Sequence, residues 1–571
     1  MKIAFVTYTQ DYEKSEMPLG IAYLSAIAKR HYNGVETRWI FGHDCDTLIK
    51  AIEGYSPDIV GFSATSLEFC ALRTISDAIR SVRPELPILW GGYHITMLPQ
   101  DLPASATAAV LGEGEMAFVD LLALCGNGEG IEPRYLSKIK GVAYRDDGHL
   151  VTSDRRALVE NLDDLPMPDW SLFQDSGCVP SLMSARGCLF KCSFCSSTAF
   201  WGNGLRRHSP ERVVAEMARL SDLNPNASLL HFYDDTFTDD VHRLERIASI
   251  IDEKKYVFPP LWGHGRAALI NQRMLRVLKK LKVRGLSFGF ESGSNRVLKL
   301  IKSGLATMGI NFRAALACYE KAIEPQAHII VGNPGETVSD AIQSLNLIYM
   351  TPLGFVAVNT AMPLPGTKFM DAAADRGMRF NGDDYAKVAV EYMDPRLIDN
   401  MTLSEFRQMR KKMEEVSAGQ ALLSGKGRHH LLVGVPWSHG REDMISKLTE
   451  LYSVDCSVGL HVAVFGVPDL YAKAIYRRFP VIVPRAGRDA DDAMRFLETN
   501  AIDGIPWAWL EDDVFEEGLS HDKVRQRLHG TPAYVDSWVE WRRNLEGLNR
   551  YMLRPEIEGE EENEVLVRAV C

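Results

Sequence analysis

Three of the ten cysteines fall within eight residues, Cys188, Cys192 and Cys195, in the spacing CxxxCxxC. Thiolates this close on one loop can wrap a face of an iron–sulfur cube. They leave one iron without a protein ligand, open to a small molecule. A structural zinc would need a fourth Cys or His at suitable spacing. The nearest histidine is His208, and the cysteines follow a strand-like segment rather than a finger-like turn. The other seven, Cys45, Cys70, Cys125, Cys178, Cys318, Cys456 and Cys571, are scattered singly. That usage fits one compact cluster site in a reducing compartment, not a disulfide scaffold.

The elements that must position this loop form an α/β pattern. Apolar runs expected as strands fall at 181–184, 229–233, 261–265, 286–290, 327–331 and 356–361, separated by helix-like segments. Ser209-Pro210 reads as a helix cap with proline at the first helical position, leading into 213–223. Six strand–helix units predict a partial (β/α)6 barrel over 179–400, with its site at the carboxyl ends of the strands.

Ahead of it, residues 1–140 predict a doubly wound parallel sheet. Strands are expected at 2–8, 59–63, 87–90 and 108–111, and helices at 19–31 and from 67 to 83. Ligands of such sheets bind beyond the carboxyl ends of the strands. Those ends here carry Ser63, Thr65, Gly91, Gly92, Gly112 and Gly114, although any one glycine could simply make a turn. Residues 126–130 read as a glycine-rich loop. Residues 141–178 are expected as a hairpin, turning at Asp146-Asp147-Gly148, and a proline-punctuated linker. Beyond 400 the pattern is a helix at 402–417, then a mixed α/β or mainly helical domain to 571. Its aromatics Trp437, Trp507, Trp509, Trp538 and Trp541 and its loop-like His439 could face a substrate, core packing being the commoner role. The acidic run 556–564 reads as a solvated tail.

Taken in order, these segments resemble the radical S-adenosylmethionine enzymes. The cluster loop carries the aromatic Phe194 before its last cysteine. Tyr233-Asp234-Asp235-Thr236, Gly263-His264-Gly265-Arg266, Phe290-Glu291-Ser292-Gly293, Gly332-Asn333-Pro334-Gly335-Glu336 and Pro363-Leu364-Pro365-Gly366 resemble the family's successive strand ends. The resemblance implies a [4Fe-4S] cluster on the three cysteines. It implies S-adenosylmethionine held with help from Phe194, Asp234, Asp235, Arg266, Glu291 and Ser292. Each polar residue has a structural alternative: the aspartates as helix caps, Arg266 in an ion pair, Glu291 capping a turn.

The first domain resembles the cobalamin-binding domain of the cobalamin-dependent branch of that family. The resemblance implies cobalamin near Pro18, Leu19, Ser63, Thr65, Gly91, Gly92, His94, Gly112, Glu113 and Gly114. The DxHxxG motif of other cobalamin proteins is absent, which disfavours a histidine lower ligand. His94 could approach the corrin or be satisfied locally.

The activity so implied is C-methylation of an unactivated carbon of a small molecule through a 5′-deoxyadenosyl radical and methylcobalamin. Cyclisation or rearrangement with the same cofactors is the alternative, and a flavodoxin or ferredoxin would supply electrons. Methylthiotransferases carry an extra three-cysteine N-terminal cluster, which Cys45, Cys70 and Cys125 match poorly. Composition agrees: of 571 residues, 46% are hydrophobic and 24% charged, and the net charge of −11 lacks the basic field of a nucleic-acid binder. No apolar run reaches a membrane span and the start does not read as a signal peptide, so a cytoplasmic enzyme is expected.

Overall fold

The structure, a computed structural model, describes residues 1–9, 17–126, 131–202, 204–378, 395–418, 430–437, 440–454, 459–482, 507–516 and 519–529. Residues 127–130, His439, Cys456, Cys571, Trp538, Trp541 and the acidic run lie outside them. The chain forms two compact units, residues 1–263 with 362–392, and residues 264–361 with 393–571.

The first unit opens with a seven-stranded sheet. Its strands are β1 (Lys2–Tyr8), β2 (Glu36–Gly42), β3 (Ile59–Ser63), β4 (Ile88–Gly91), β5 (Ala108–Val110), β6 (Val142–Asp146) and β7 (His149–Thr152). The order is β2-β1-β3-β4-β5-β6-β7, and β1 to β5 run parallel. Side-chain alternation gives each face its own core. Ala4, Val6, Phe62 and Trp90 pack on one side, and Ile3, Phe5, Leu89 and Val110 on the other. That double burial is why these strands read as unbroken apolar runs.

The hairpin expected at 141–152 forms, and it extends this sheet, because β6 pairs antiparallel with β5. The pattern also missed β2 and the helix Cys45–Tyr55 that Asp44 caps. β2 is an edge strand whose polar positions are exposed, so its apolar signal is thin.

Next come β8 (Ser181–Leu182), β9 (Ala185–Gly187), β10 (Leu205–Arg207), β11 (Leu230–Phe232) and β12 (Leu261–Gly265). The barrel strands β8, β11 and β12 are parallel neighbours. β9 and β10 form a separate antiparallel pair. The helix Pro210–Leu223 starts as read, with the Ser209 side chain accepting from the Arg212 amide.

The second unit holds three more strands, β13 (Val283–Glu291), β14 (Glu324–Val331) and β15 (Phe355–Thr360), again parallel. All six strands expected over 179–400 fall where the sequence places them. After the helix Leu403–Ala418 follows a second α/β sheet: β16 (His430–Pro436), β17 (Gly459–Phe465), β18 (Val481–Ile482), β19 (Trp507–Trp509) and β20 (Leu528–His529). Its order is β18-β17-β16-β19-β20, with only β20 antiparallel. The mainly helical alternative for this region is therefore corrected to α/β. Short apolar runs such as Leu431–Val435 do not reveal their period by themselves. Trp507 and Trp509 are core residues of β19.

Candidate functional site

The cluster loop leaves β9 through Gly187. There φ is +96°, and a Cβ would stand 2.2 Å from the Gly204 carbonyl oxygen. Only glycine allows that turn while β9 stays paired with β10. Beyond it the Cys188 sulfur lies 3.5 Å from the Thr236 hydroxyl. The Cys195 amide donates to the Cys192 carbonyl at 3.2 Å. Burial pushes the Cys195 thiol up to about 12, with Asp235, Cys192 and Cys188 adding to the shift. Three mutually repelling thiols in a poorly solvated loop are costly as thiolates unless cations bind them, so the donor set fits an iron–sulfur cluster. His208, by contrast, bonds Tyr23 at 3.2 Å and Asp163 at 2.9 Å, which leaves neither ring nitrogen for a metal.

Asp234 and Asp235, at the end of β11, brace the two flanks of this loop. The fully buried Asp234 carboxylate accepts from the Ser184 amide at 2.6 Å, the Ala185 amide at 3.3 Å and the Ser184 hydroxyl. Burial raises it to about 6, against the pull of Arg243. Asp235 accepts from the Ser197 hydroxyl at 2.6 Å, on the helix Ser197–Trp201 that follows Cys195. Neither caps the next helix, whose cap is Asp240. Phe194 packs on Phe369, ring centroids 6.1 Å apart.

A cavity of about 280 Å³ opens at the carboxyl ends of β1, β3, β4 and β5. Its walls include Leu19, Ser63, Gly91, Gly92, Gly112, Glu113 and Gly114, and on the other side Met183, Arg186, Phe200 and Trp201. Gly92 has φ +92°, and a Cβ there would lie 2.7 Å from Ala64 backbone atoms, while a Cβ on Gly112 meets open space. The glycines thus form a bare backbone cradle for a close-fitting group.

Pro18, Thr65 and His94 are not among these walls. Pro18 starts the helix Leu19–His31 through its carbonyl. Thr65 is tied to Glu68 by its amide and hydroxyl. His94 is fully buried, bonded to Ser66 at 3.0 Å and Asp101 at 3.1 Å and stacked on Phe69. It is satisfied locally, so the corrin-contacting reading gives way.

The sequence reading missed what joins cavity to cluster loop. Arg186, two residues before Cys188, bonds Glu113 at 2.8 Å and Glu115 at 2.7 Å. All three side chains are about 5% exposed. Arg206 adds a second cation on Glu113 at 2.9 Å. Burial would raise Glu113, but the hydrogen bonds from Arg206 and Arg186 outweigh it and hold the carboxylate below its usual range. Removing one member of such a pair costs about 3–5 kcal/mol, because the other charge stays buried alone. Arg186 adjoins the motif and Glu113 and Glu115 alternate with glycines, which marks each segment but not their pairing.

In the second unit, Arg266 donates to the Ser303 carbonyl. Ser292 is fully buried, within 3.2 Å of the Ser344 hydroxyl and accepting from the Ser294 amide at 3.0 Å. Glu291 follows a bulge in β13 and has φ +65°. Its carboxylate folds back over Gly289 and pairs with Lys302 at 3.5 Å. A strained non-glycine residue held this way marks a candidate functional position. Two histidines were not singled out in the sequence, His264 being quoted only within a strand-end segment and His328 not at all. Burial lowers His264, on β12, to about 4, and lowers His328, on β14. His328 lies in register with Gly289 on one side and Ala357 on the other. It lies on the strand face away from the buried Ala327 and Ile329.

Fold and site together define an enzyme with a thiolate cluster barrel behind a cofactor-binding sheet. Residues 182–348 match the Radical SAM superfamily and residues 7–122 match the B12 binding domain. An uncharacterized methyltransferase of Pyrococcus horikoshii is 28% identical over 373 residues, 62% of this chain and 78% of the relative. The cytidylyl-2-hydroxyethylphosphonate methyltransferase of Streptomyces wedmorensis is 25% identical over 442 residues, 65% of this chain and 80% of the relative. The radical S-adenosylmethionine methyltransferase TsrM of Kitasatospora setae, solved with cobalamin and a [4Fe-4S] cluster, superposes with a TM-score of 0.56 at 16% identity. That match covers 66% of this chain and 76% of TsrM, and shows a shared fold. The chain is thus an enzyme that joins a B12 binding domain to a Radical SAM domain. No helix among the described residues is long and apolar enough to cross a membrane.

Proposed function

We propose that this enzyme transfers a methyl group to an unactivated carbon of a small molecule. The observation that carries the reading is one compact unit holding both a glycine-lined cavity and a three-thiol loop, joined through Arg186. When bound, the [4Fe-4S] cluster, S-adenosylmethionine and cobalamin supply a 5′-deoxyadenosyl radical and a transferable methyl group. Cys188, Cys192 and Cys195 would hold the cluster, with Asp234 and Asp235 fixing the loop at its flanks. Ser63, Gly91, Gly92, Gly112 and Gly114 would cradle the corrinoid. Arg266, Glu291 and Ser292 would serve S-adenosylmethionine, Ser292 by shaping the backbone around Glu291. His328, whose burial favours the neutral ring, is suited to a polar group of the substrate. Relatives named for methyl transfer to small molecules favour that substrate class over a macromolecule. A flavodoxin or ferredoxin in the cytoplasm would deliver the electrons.

The test is anaerobic incubation of the reconstituted enzyme with a metabolite extract and S-adenosylmethionine labelled in its methyl group. A product heavier by one methylene and carrying the label, formed together with 5′-deoxyadenosine, is expected. A product that loses hydrogens without label would overturn methyl transfer in favour of cyclisation, and absence of both compounds would overturn the reading itself. Cys192→Ala should abolish 5′-deoxyadenosine formation and bound iron together.

A further inference from the structure

The chain carries a net charge of −11, yet one stretch of the first unit is basic. Residues 133–158 hold six lysines and arginines against three aspartates, a net of +3. The two ends of the stretch run side by side. The Gly141 amide donates to the Asp154 carbonyl at 2.8 Å, and Arg156 donates from Nε to the Lys140 carbonyl at 3.1 Å. Lys138, Lys140 and Arg155 thus sit on adjoining backbone, and all three are exposed. Carboxylates beside them are already engaged, Asp120 by Arg156 and Glu132 by Arg134 at 2.9 Å.

This surface adjoins the cluster loop. Arg155 donates from Nη2 to the carbonyls of Ala199 at 3.2 Å and Phe200 at 3.4 Å, on the helix Ser197–Trp201. A guanidinium suits the bare carbonyls at a helix end. Ala199 is four residues past Cys195, a span of at most about 14 Å. The Thr198 hydroxyl donates to the Phe190 carbonyl at 3.4 Å, which brings in Lys191, an exposed cation of the loop itself. Lys138, Lys140 and Arg155 line no part of the cavity over the first sheet.

We propose that the basic surface around Lys138, Lys140 and Arg155 is where an acidic one-electron donor protein docks to reduce the cluster. The inference rests on the cluster reading above and gives its electron donor a place on the first unit. The donor loses one electron, the oxidised [4Fe-4S] cluster gains it, and no bond or proton is exchanged. Electron-transfer encounters bury little surface, so opposite charges that steer the approach set their rate. The lysines supply that charge, and Arg155 carries the surface up to the helix that follows Cys195.

The test uses the reconstituted full chain under anaerobic conditions. Photoreduced flavodoxin is the acidic donor, and bleaching of the cluster's visible absorption is the readout. At low ionic strength the double variant Lys138→Glu, Lys140→Glu should be reduced about tenfold more slowly than the wild type. The gap should close as salt rises past about 0.15 M, where charges act over only about 8 Å. The milder Lys138→Gln, Lys140→Gln should fall between the two. Reduced methyl viologen, a small cation with no acidic face, should reduce both variants no more slowly than the wild type. Equal flavodoxin rates for wild type and the charge-reversed variant would overturn the proposal, as would an equal loss with flavodoxin and viologen in both variants. Salt-sensitive RNA binding that vanishes in the variants while flavodoxin rates hold would overturn it in favour of a nucleic-acid face. Wild-type protein that shows no cluster absorption for either donor to bleach would instead overturn the reading on which the proposal stands.

Discussion

The chain contains two sheets in which the first strand lies between strands reached in opposite directions, and they end very differently. In the first, β1 sits between β2 and β3; in the second, β16 sits between β17 and β19. Such switch points are where open α/β sheets bind ligands. The strands around β1 finish in Ser63, Gly91, Gly92 and Gly112, and a cavity stands over them. Around β16 the ends carry aromatics. Trp437 stacks on Tyr471 at 5.5 Å and 12°, and Phe465 meets Trp509 at 5.4 Å and 63°. Topology offers a place for a ligand, and the residues at the strand ends decide whether backbone is left bare or covered.

The sharpest way to break this comparison is Gly92→Ala. The added Cβ would have to displace Ala64 backbone at 2.7 Å, in a conformation with φ +92°. Forbidden contact and left-handed strain together should cost about 3 kcal/mol. The cradle should also shift enough to weaken hydroxocobalamin binding by at least about tenfold, read by dialysis beside thermal unfolding. A variant with unchanged affinity would show that the glycine pair is only a turn.

Much of this was legible beforehand, for reasons that differ by region. β1, β3 and β12 are apolar runs bounded by polar or glycine residues, and each emerged nearly residue for residue. The cluster cysteines were visible because a chelating loop needs its donors close in sequence. The roles of Asp234 and Asp235 were not visible, and for His94 the sequence left a local role and a corrin contact open. A carboxylate at a strand end looks the same in sequence whether it faces a ligand or accepts amides of its own scaffold, as Asp234 does from Ser184. Arg186 and Glu113 are 73 positions apart, and no local pattern announces a pairing at that range.

The buried chain Asp163–His208–Tyr23 sharpens the contrast at a smaller scale, because it fastens the connector after β7 to the first helix. Burial holds His208 neutral, with its pKa lowered from 6.5 to about 4 despite Asp163. A depressed folded value means the unfolded chain takes the proton first. The stability contributed by the neutral ring is therefore complete above pH 6.5 and lost as pH falls toward 4. Between pH 7.5 and pH 5 the loss should be about 2 kcal/mol. Glu216 works in the opposite sense, since burial raises it to about 7 and its contribution fades as pH rises through that value. The readout is accordingly a difference: His208→Asn should show a flatter fall in melting temperature between pH 7.5 and pH 5 than the wild type. Identical slopes would mean that His208 is already charged in the fold.

The mildest perturbation is the counterpart of Gly92→Ala at the other sheet. Gly466 follows β17 with φ +70°, but a Cβ there would meet only Trp437, at an ordinary 3.9 Å. Gly466→Ala should therefore cost only the left-handed penalty, about 1 kcal/mol, without a clash. Thermal unfolding should register that loss, while hydroxocobalamin affinity stays at the wild-type value. If Gly466→Ala weakened corrinoid binding as Gly92→Ala is expected to, the bare and covered strand ends would not be functionally distinct. The difference at the two switch points would then be one of packing alone.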